Sequence, residues 1–199
     1  MTATTRGRPR TFDRDEALAI AMRLFWQHGY HATSLSELTE AMGIRSASLY
    51  KAFGDKASLF RAVVDAYAAL PTADFARRAL DEEPSARTAF ERILRKAADN
   101  YTDPAHPPGC LVITAATNIT EADADIEAFL RGLRAQNLET FRARLAAAQR
   151  AGELPPDADT AALADYFAVV IQGMSQRARD GADAAALGRV AQLAITVWP

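Results

Sequence analysis

The stretch TSLSELTEAMGIRSASLYKAFGDK, residues 33–56, decides the fold. It reads as two short helices joined by a tight turn. Ser34 is a good helix cap, and Glu37 stands three residues later, the spacing of a capping box. Leu38 and Met42 fall on one face of a helix over 35–42. Gly43 tolerates a positive φ and supplies the turn, with Ile44 as its apolar plug. A second helix starts after Arg45 or Ser46 and ends near Phe53, burying Leu49, Ala52 and Phe53. Arg45, Ser46, Ala47, Ser48, Tyr50 and Lys51 are left facing outward: hydroxyl and cationic donors with no acid among them. Phosphates line both rims of the DNA major groove, so a helix enters it only with a polar or basic outer face. The pattern taken alone also fits an ordinary helical hairpin with a solvated face.

Working outward, Ala17, Leu18, Ala21, Leu24 and Phe25 recur at three- and four-residue spacing, which predicts a helix from about Asp13 to His28. Gly29 stops it. Residues 1–11 are polar, contain Gly7 and Pro9, and read as a flexible basic arm carrying Arg6, Arg8 and Arg10. On the other side Gly54-Asp55 breaks the chain, and Asp55 caps a fourth helix reaching about Leu70, before Pro71. Further helices are predicted at 73–81, 85–102, 110–119, 123–151, 158–179 and 183–197. Loops are predicted at Asp103–Gly109, which holds three prolines, at Gly152–Pro156 and at Asp180-Gly181. No segment sustains period-2 alternation, so the expected class is all-α.

The bulk numbers narrow the function. With 49% hydrophobic and 24% charged residues in 199, the chain has material for a globular core and is not a disordered one. Its net charge is −2, unevenly spread. Residues 1–56 carry eight basic and six acidic side chains, a net of +2, and the remainder carries −4. A mildly basic head on an acidic body points to nucleic acid at the N-terminal end. The single cysteine, Cys110, rules out an intrachain disulfide and fits a reduced cytoplasmic setting. The N-terminal arginines have no apolar stretch after them, as a signal peptide would require. No run approaches the roughly 18 apolar residues of a membrane span.

Thr33-Ser34-Leu35, Gly43-Ile44 and Ser48-Leu49-Tyr50-Lys51-Ala52-Phe53-Gly54-Asp55-Lys56 together resemble the signature of the TetR/AcrR family, and Ala17–Tyr30 resembles its first helix. The close match covers about residues 12–60. Thr39 departs from it, standing where the family usually has Ala at a tight helix crossing, and Ala57 stands where Glu is common. The resemblance implies a DNA-binding head at 12–58 and an effector-binding and dimerisation domain at 59–199. It implies a regulator, more often a repressor, that binds a palindromic operator as a homodimer and lets go when a small molecule binds. Arg45 is then the best bidentate donor to a guanine edge. Ser46, Ala47 and Ser48 meet base edges, thymine methyls or phosphate. Lys51 lies on the same face, while Tyr50 and Lys56 hold phosphates. Thr33 and Ser34 offer a helix N-terminus to a phosphate, or act as plain caps. Arg6, Arg8 and Arg10 enter the minor groove, or remain a basic tail.

The body carries no catalytic constellation. His28, His31 and His106 form no pattern with a serine nucleophile, and Cys110 has no orienting base in view, so an enzyme is not expected. His106 and Cys110 lack a third metal ligand, and neither metal nor cofactor is expected. The family's effector pocket would lie among 85–102, 110–119 and 123–151, lined by Phe90, Leu94, Tyr101, Ile113, Thr117, Phe129, Leu133, Asn137 and Phe141. Such a wall suits a small lipophilic effector. The last two helices would pair with their symmetry mates through stripes that include Phe167, Val169, Gly173 and Met174, then Leu187, Val190, Leu193 and Val197. Cys110, in Gly109-Cys110-Leu111, opens a helix whose N-terminus would lower a thiol pKa, which raises a thiol sensor of oxidants or electrophiles as an alternative; a small buried core residue is the other reading.

Overall fold

Asp13 starts the first helix: its carboxylate accepts from the amides of Asp15 at 3.0 Å and Glu16 at 3.2 Å. The computed structural model describes residues 13–115 and 120–199. Within them the chain forms α1 (Arg14–His28), α2 (Leu35–Met42), α3 (Ser46–Phe53), α4 (Lys56–Ala68), α5 (Phe75–Glu82), α6 (Ala86–Tyr101), α7 (Leu111–Thr114), α8 (Ala124–Arg150), α9 (Thr160–Arg179) and α10 (Ala184–Ala194), with a tighter turn at Ile195–Val197. There is no strand among the described residues, in line with the all-α class.

Caps set the boundaries where sequence placed them. Ser34 Oγ accepts from the Glu37 amide at 3.1 Å, and Asp55 accepts from the Ser58 amide at 2.7 Å. Gly43 sits at φ 64° and ψ 32°, the left-handed geometry that turns α2 into α3. Only half of the capping box forms, because Glu37 faces His28 instead, at 3.7 Å. Two differences stand out. The helix predicted over 110–119 is a single turn that ends by Ala115, and the last helix gives way to the tighter turn after Ala194.

Two cores stack along the molecule. In the head, Phe25, Leu38, Leu49, Leu59, Phe60 and Val63 have no exposed surface. Phe60 meets Phe25 edge-on, with ring centroids 5.0 Å apart. The expected boundary at 58/59 falls inside α4, whose buried face runs on to Tyr67. The same core takes in Leu111 and Ala115 around α7 and Ile126 and Leu130 of α8, so the body's own helices close the head from behind. The second core lies among α6, α8, α9 and α10, around Phe90, Phe167 and Leu145. Cys110 packs against both.

Candidate functional site

α3 is amphipathic in the strict sense. Leu49 is fully buried and Phe53 nearly so, while Arg45, Ser46, Ala47, Ser48, Tyr50 and Lys51 are all exposed. Arg45 occupies the N-cap position without a side-chain cap bond, so its guanidinium is not engaged by its own helix. Tyr50 is a large, half-exposed aromatic on this polar face.

Around α3 the residues divide. Ser34 is exposed at the start of α2 with its hydroxyl already accepting from Glu37. Lys56 opens α4, with its ammonium 4.3 Å from the centroid of the Tyr30 ring and 3.5 Å from the His31 carbonyl. Partial burial lowers its pKa from the ordinary lysine value. Thr33 is set differently from the outward role considered for it. It is fully buried, and its hydroxyl donates to the Gly29 carbonyl at 2.7 Å, closing the end of α1. A hydroxyl so placed holds the head together and does not face a phosphate. Thr39, the departure at the helix crossing, turns its hydroxyl back onto Leu35 and Ser36 carbonyls, each at 3.0 Å, so it leaves no buried donor unmet. Arg6, Arg8 and Arg10 lie outside the described residues.

Behind the head, residues from α4 to α9 line a cavity of about 90 Å³ that is open at Asn137 and Gln172, both exposed. Of the residues assigned to an effector pocket, Tyr101, Ile113, Asn137 and Phe141 line it. Phe90 and Leu94 do not; they are sealed in the second core, where the Phe90 ring lies tilted against Phe167 with centroids 4.6 Å apart. Phe129 and Leu133 pack toward the head core, and Arg61 lies over the Phe129 ring at 4.7 Å. Thr117 lies outside the described residues. Sequence reasoning missed Tyr67, Gln172 and Arg134 in the lining. Arg134 had a signal: Ile126, Leu130, Arg134, Leu138 and Phe141 share one face of α8, so a cation interrupts an apolar stripe.

The surroundings of Cys110 do not support the sensor alternative. It lines the cavity and accepts a hydrogen bond from the Tyr67 hydroxyl at 3.4 Å, while its amide donates to Ser175 Oγ at 2.9 Å. Burial pushes its thiol up from the ordinary value, against the lowering expected from a helix start. A single helical turn is too short to offset that desolvation. His106 is turned elsewhere, stacked on Trp26 at 4.4 Å and donating from Nδ1 to the Pro107 carbonyl.

Comparison with known proteins agrees with this architecture. Residues 17–63 match the model for bacterial regulatory proteins of the tetR family, and residues 87–194 match the tetracyclin repressor-like C-terminal domain. The chain is 40% identical to the HTH-type transcriptional repressor ComR of Escherichia coli K12, over 98% of this chain and 93% of that protein. It is 32% identical to the repressor BdcR of the same organism, over 88% and 83%. A cysteine-substituted variant of the TetR-family regulator CifR, solved with 26-base-pair double-strand operator DNA, superposes with a TM-score of 0.91 at 39% identity, covering 97% of this chain and 100% of that one. With both halves matched and full-length relatives at this identity, the chain belongs to the TetR family of bacterial transcriptional regulators.

Proposed function

We propose that the protein is a transcriptional repressor that binds a palindromic operator as a homodimer and releases it on taking up a small lipophilic effector. The outward face of α3 carries this reading: six positions offer donors and small groups and no acid, over a core that fixes the helix. Arg45 reads a guanine edge, and Ser46, Ala47 and Ser48 meet neighbouring base edges or phosphate. Tyr50, Lys51, Lys56 and the amides behind Ser34 hold the backbone, and Arg6, Arg8 and Arg10 reach the minor groove. ComR and BdcR are named as repressors, and the CifR structure holds operator DNA, which supports the repressor and operator parts of the reading.

The dimer rests on a second observation. Four of the five exposed large hydrophobics among the described residues, Val169, Val190, Leu193 and Val197, lie on the last two helices or just after them. Two heads joined there would face successive major grooves. A mobility-shift assay on the intergenic DNA beside the protein's own gene tests the proposal. A shift that survives excess nonspecific DNA is expected; its absence across that region, with folded protein, would remove the operator reading.

A further inference from the structure

The cavity is electrically one-sided. Its lining includes one guanidinium, Arg134, and no carboxylate. Arg134 uses one N–H on the Val112 carbonyl at 2.9 Å. The two acids nearest in sequence are engaged elsewhere, Glu139 with Arg142 at 3.9 Å and Glu127 with Arg131 at 3.3 Å, and no ion pair within 4.0 Å forms at Arg134 among the described residues. The remaining donors of its planar fork therefore have no carboxylate to meet.

A second, independent group points into the same space. Tyr101 is only 4% exposed and lines the cavity, and none of the hydrogen bonds among the described residues engages its hydroxyl. A phenol at a cavity wall with no protein partner is open to an acceptor from water or from a ligand. Each of the two groups offers a donor, the guanidinium exclusively so. A neutral hydrocarbon satisfies neither, whereas a carboxylate accepts from both and matches the guanidinium fork in a bidentate pair. One cation asks for a monoanion rather than a dianion. Burial also pushes the Arg134 guanidinium below its ordinary value, as expected of a cation short of counter-charge. The space of about 90 Å³ holds several water-sized groups at about 10–15 Å³ each, which suits a small molecule.

We propose that the cavity binds a small monocarboxylic acid, its carboxylate held by Arg134 and the Tyr101 hydroxyl and its hydrocarbon part against Ile113, Leu138, Phe141 and Ile171. This narrows the effector class and rests on the reading of this cavity as the effector site.

Calorimetric titration of the full-length protein with butyrate, hexanoate and benzoate, and with benzamide and benzyl alcohol as neutral counterparts, tests it. At least one acid binds, about tenfold or more tighter than the neutral molecules. Arg134→Gln weakens the acid by a similar factor and leaves the neutral molecules unchanged, and Tyr101→Phe weakens the acid several-fold. Arg134→Met, which keeps the packing of the stem, replaces Arg134→Gln if circular dichroism shows that variant unfolded. No binding by any acid, equal binding of a neutral counterpart, or undiminished acid affinity in the arginine variant overturns the proposal. DNA release is measured separately by fluorescence anisotropy. Acid binding without release supports the carboxylate site and counts against the effector reading. Release by benzyl alcohol with no acid binding overturns the carboxylate assignment and leaves the effector reading standing.

Discussion

Arg179, in the last turn of α9, donates to the Trp26 carbonyl at 3.0 Å and to the Gln27 carbonyl at 3.1 Å, at the end of α1. These are carbonyls that a helix C-terminus leaves without an intrahelical donor. A residue of the body thus closes a helix of the head across 152 positions of sequence. A charged donor on such carbonyls is worth about 1.5–3 kcal/mol when shielded, and the partial exposure of Arg179 places it at the low end. Arg179→Met is expected to lower the melting temperature by a few degrees. Amide exchange should quicken at the end of α1 and in the adjoining loop, and hardly in α6. Uniform quickening over both cores would show that the contact does not act locally.

The DNA-facing residues should separate by kind. Arg45 begins the exposed face of α3, and Lys56 stands at its rim against Tyr30. Arg45→Ala should cost about 1–3 kcal/mol per half-site and relax preference for one base pair. Lys56→Gln should weaken all sequences alike and flatten the dependence of log affinity on log salt by about one unit per subunit. Anisotropy titrations on matched and scrambled operators at several salt concentrations read both. Equal loss on all sequences for Arg45→Ala would move the base-reading role elsewhere.

The head was legible in the sequence because its signals are local. Ser34, Gly43 and Asp55 each act on backbone within three residues, and α2 fell at Leu35–Met42 as expected. The pocket was less so. Phe90, Leu94 and Tyr101 share a face of α6, and only the packing of α9 and α10 decides that Phe90 and Leu94 are covered while Tyr101 borders open space. The expected length of α7 was too great because Leu111, Val112 and Ile113 are apolar enough for a longer helix and carry no stop signal of their own. Cys110 does stand at a helix start, but its burial comes from Tyr67 and Ser175, far away in sequence.

The stripes assigned to the last two helices divide between two faces. Phe167 and Met174 turn inward, as do Leu187, Ala191 and Ala194, while Val169 is 67% exposed and Leu193 71%. A charge on the outer face therefore leaves the core intact and falls on the proposed dimer surface. Leu193→Asp is expected to give a folded monomer at micromolar concentration by light scattering, with weakened operator binding. Leu187→Asp should instead unfold the body. A Leu193→Asp protein that stays dimeric would place the subunit contact elsewhere.

Alkali should destabilise the fold through four buried acids of the neutral kind. Burial raises the Tyr67, Tyr101 and Cys110 pKa values, and that of Tyr30 to about 12, with Asp123 adding to the last. Each raised value means that folding favours the protonated form. The stabilisation is fully present below the unfolded values, about 8.5 for a thiol and about 10 for a phenol, and fades as pH climbs toward the folded ones. Lys56, with a lowered pKa, acts in the opposite sense but is one group against four. Urea unfolding should give a free energy that falls from about pH 8.5 and more steeply above about 10. Tyr67→Phe should flatten the slope. A free energy that stays level to about pH 11 would contradict the burial of these groups.

Two glycines at positive φ should respond differently to the same methyl group. Gly43 has φ 64° with nothing within 4 Å of where a Cβ would stand, so Gly43→Ala meets only the left-handed backbone cost of about 1–2 kcal/mol. Gly109 has φ 83°, and a Cβ there would lie 2.8 Å from the Ser175 carbonyl oxygen and 2.9 Å from its Oγ. The carbonyl belongs to α9 and cannot swing aside, and the Oγ accepts the Cys110 amide bond that pins the proline loop. Gly109→Ala therefore adds steric displacement and a strained hydrogen bond to the backbone cost, for a loss of at least about 2–4 kcal/mol. Displacement here moves the loop that carries Cys110 at the cavity wall, so the variant should also show faster thiol labelling at neutral pH, which Gly43→Ala should not. Denaturant midpoints and labelling rates for the pair measure this. Equal destabilisation with unchanged labelling would mean that the loop and α9 separate without resistance, and that Gly109 is there for its backbone angle alone.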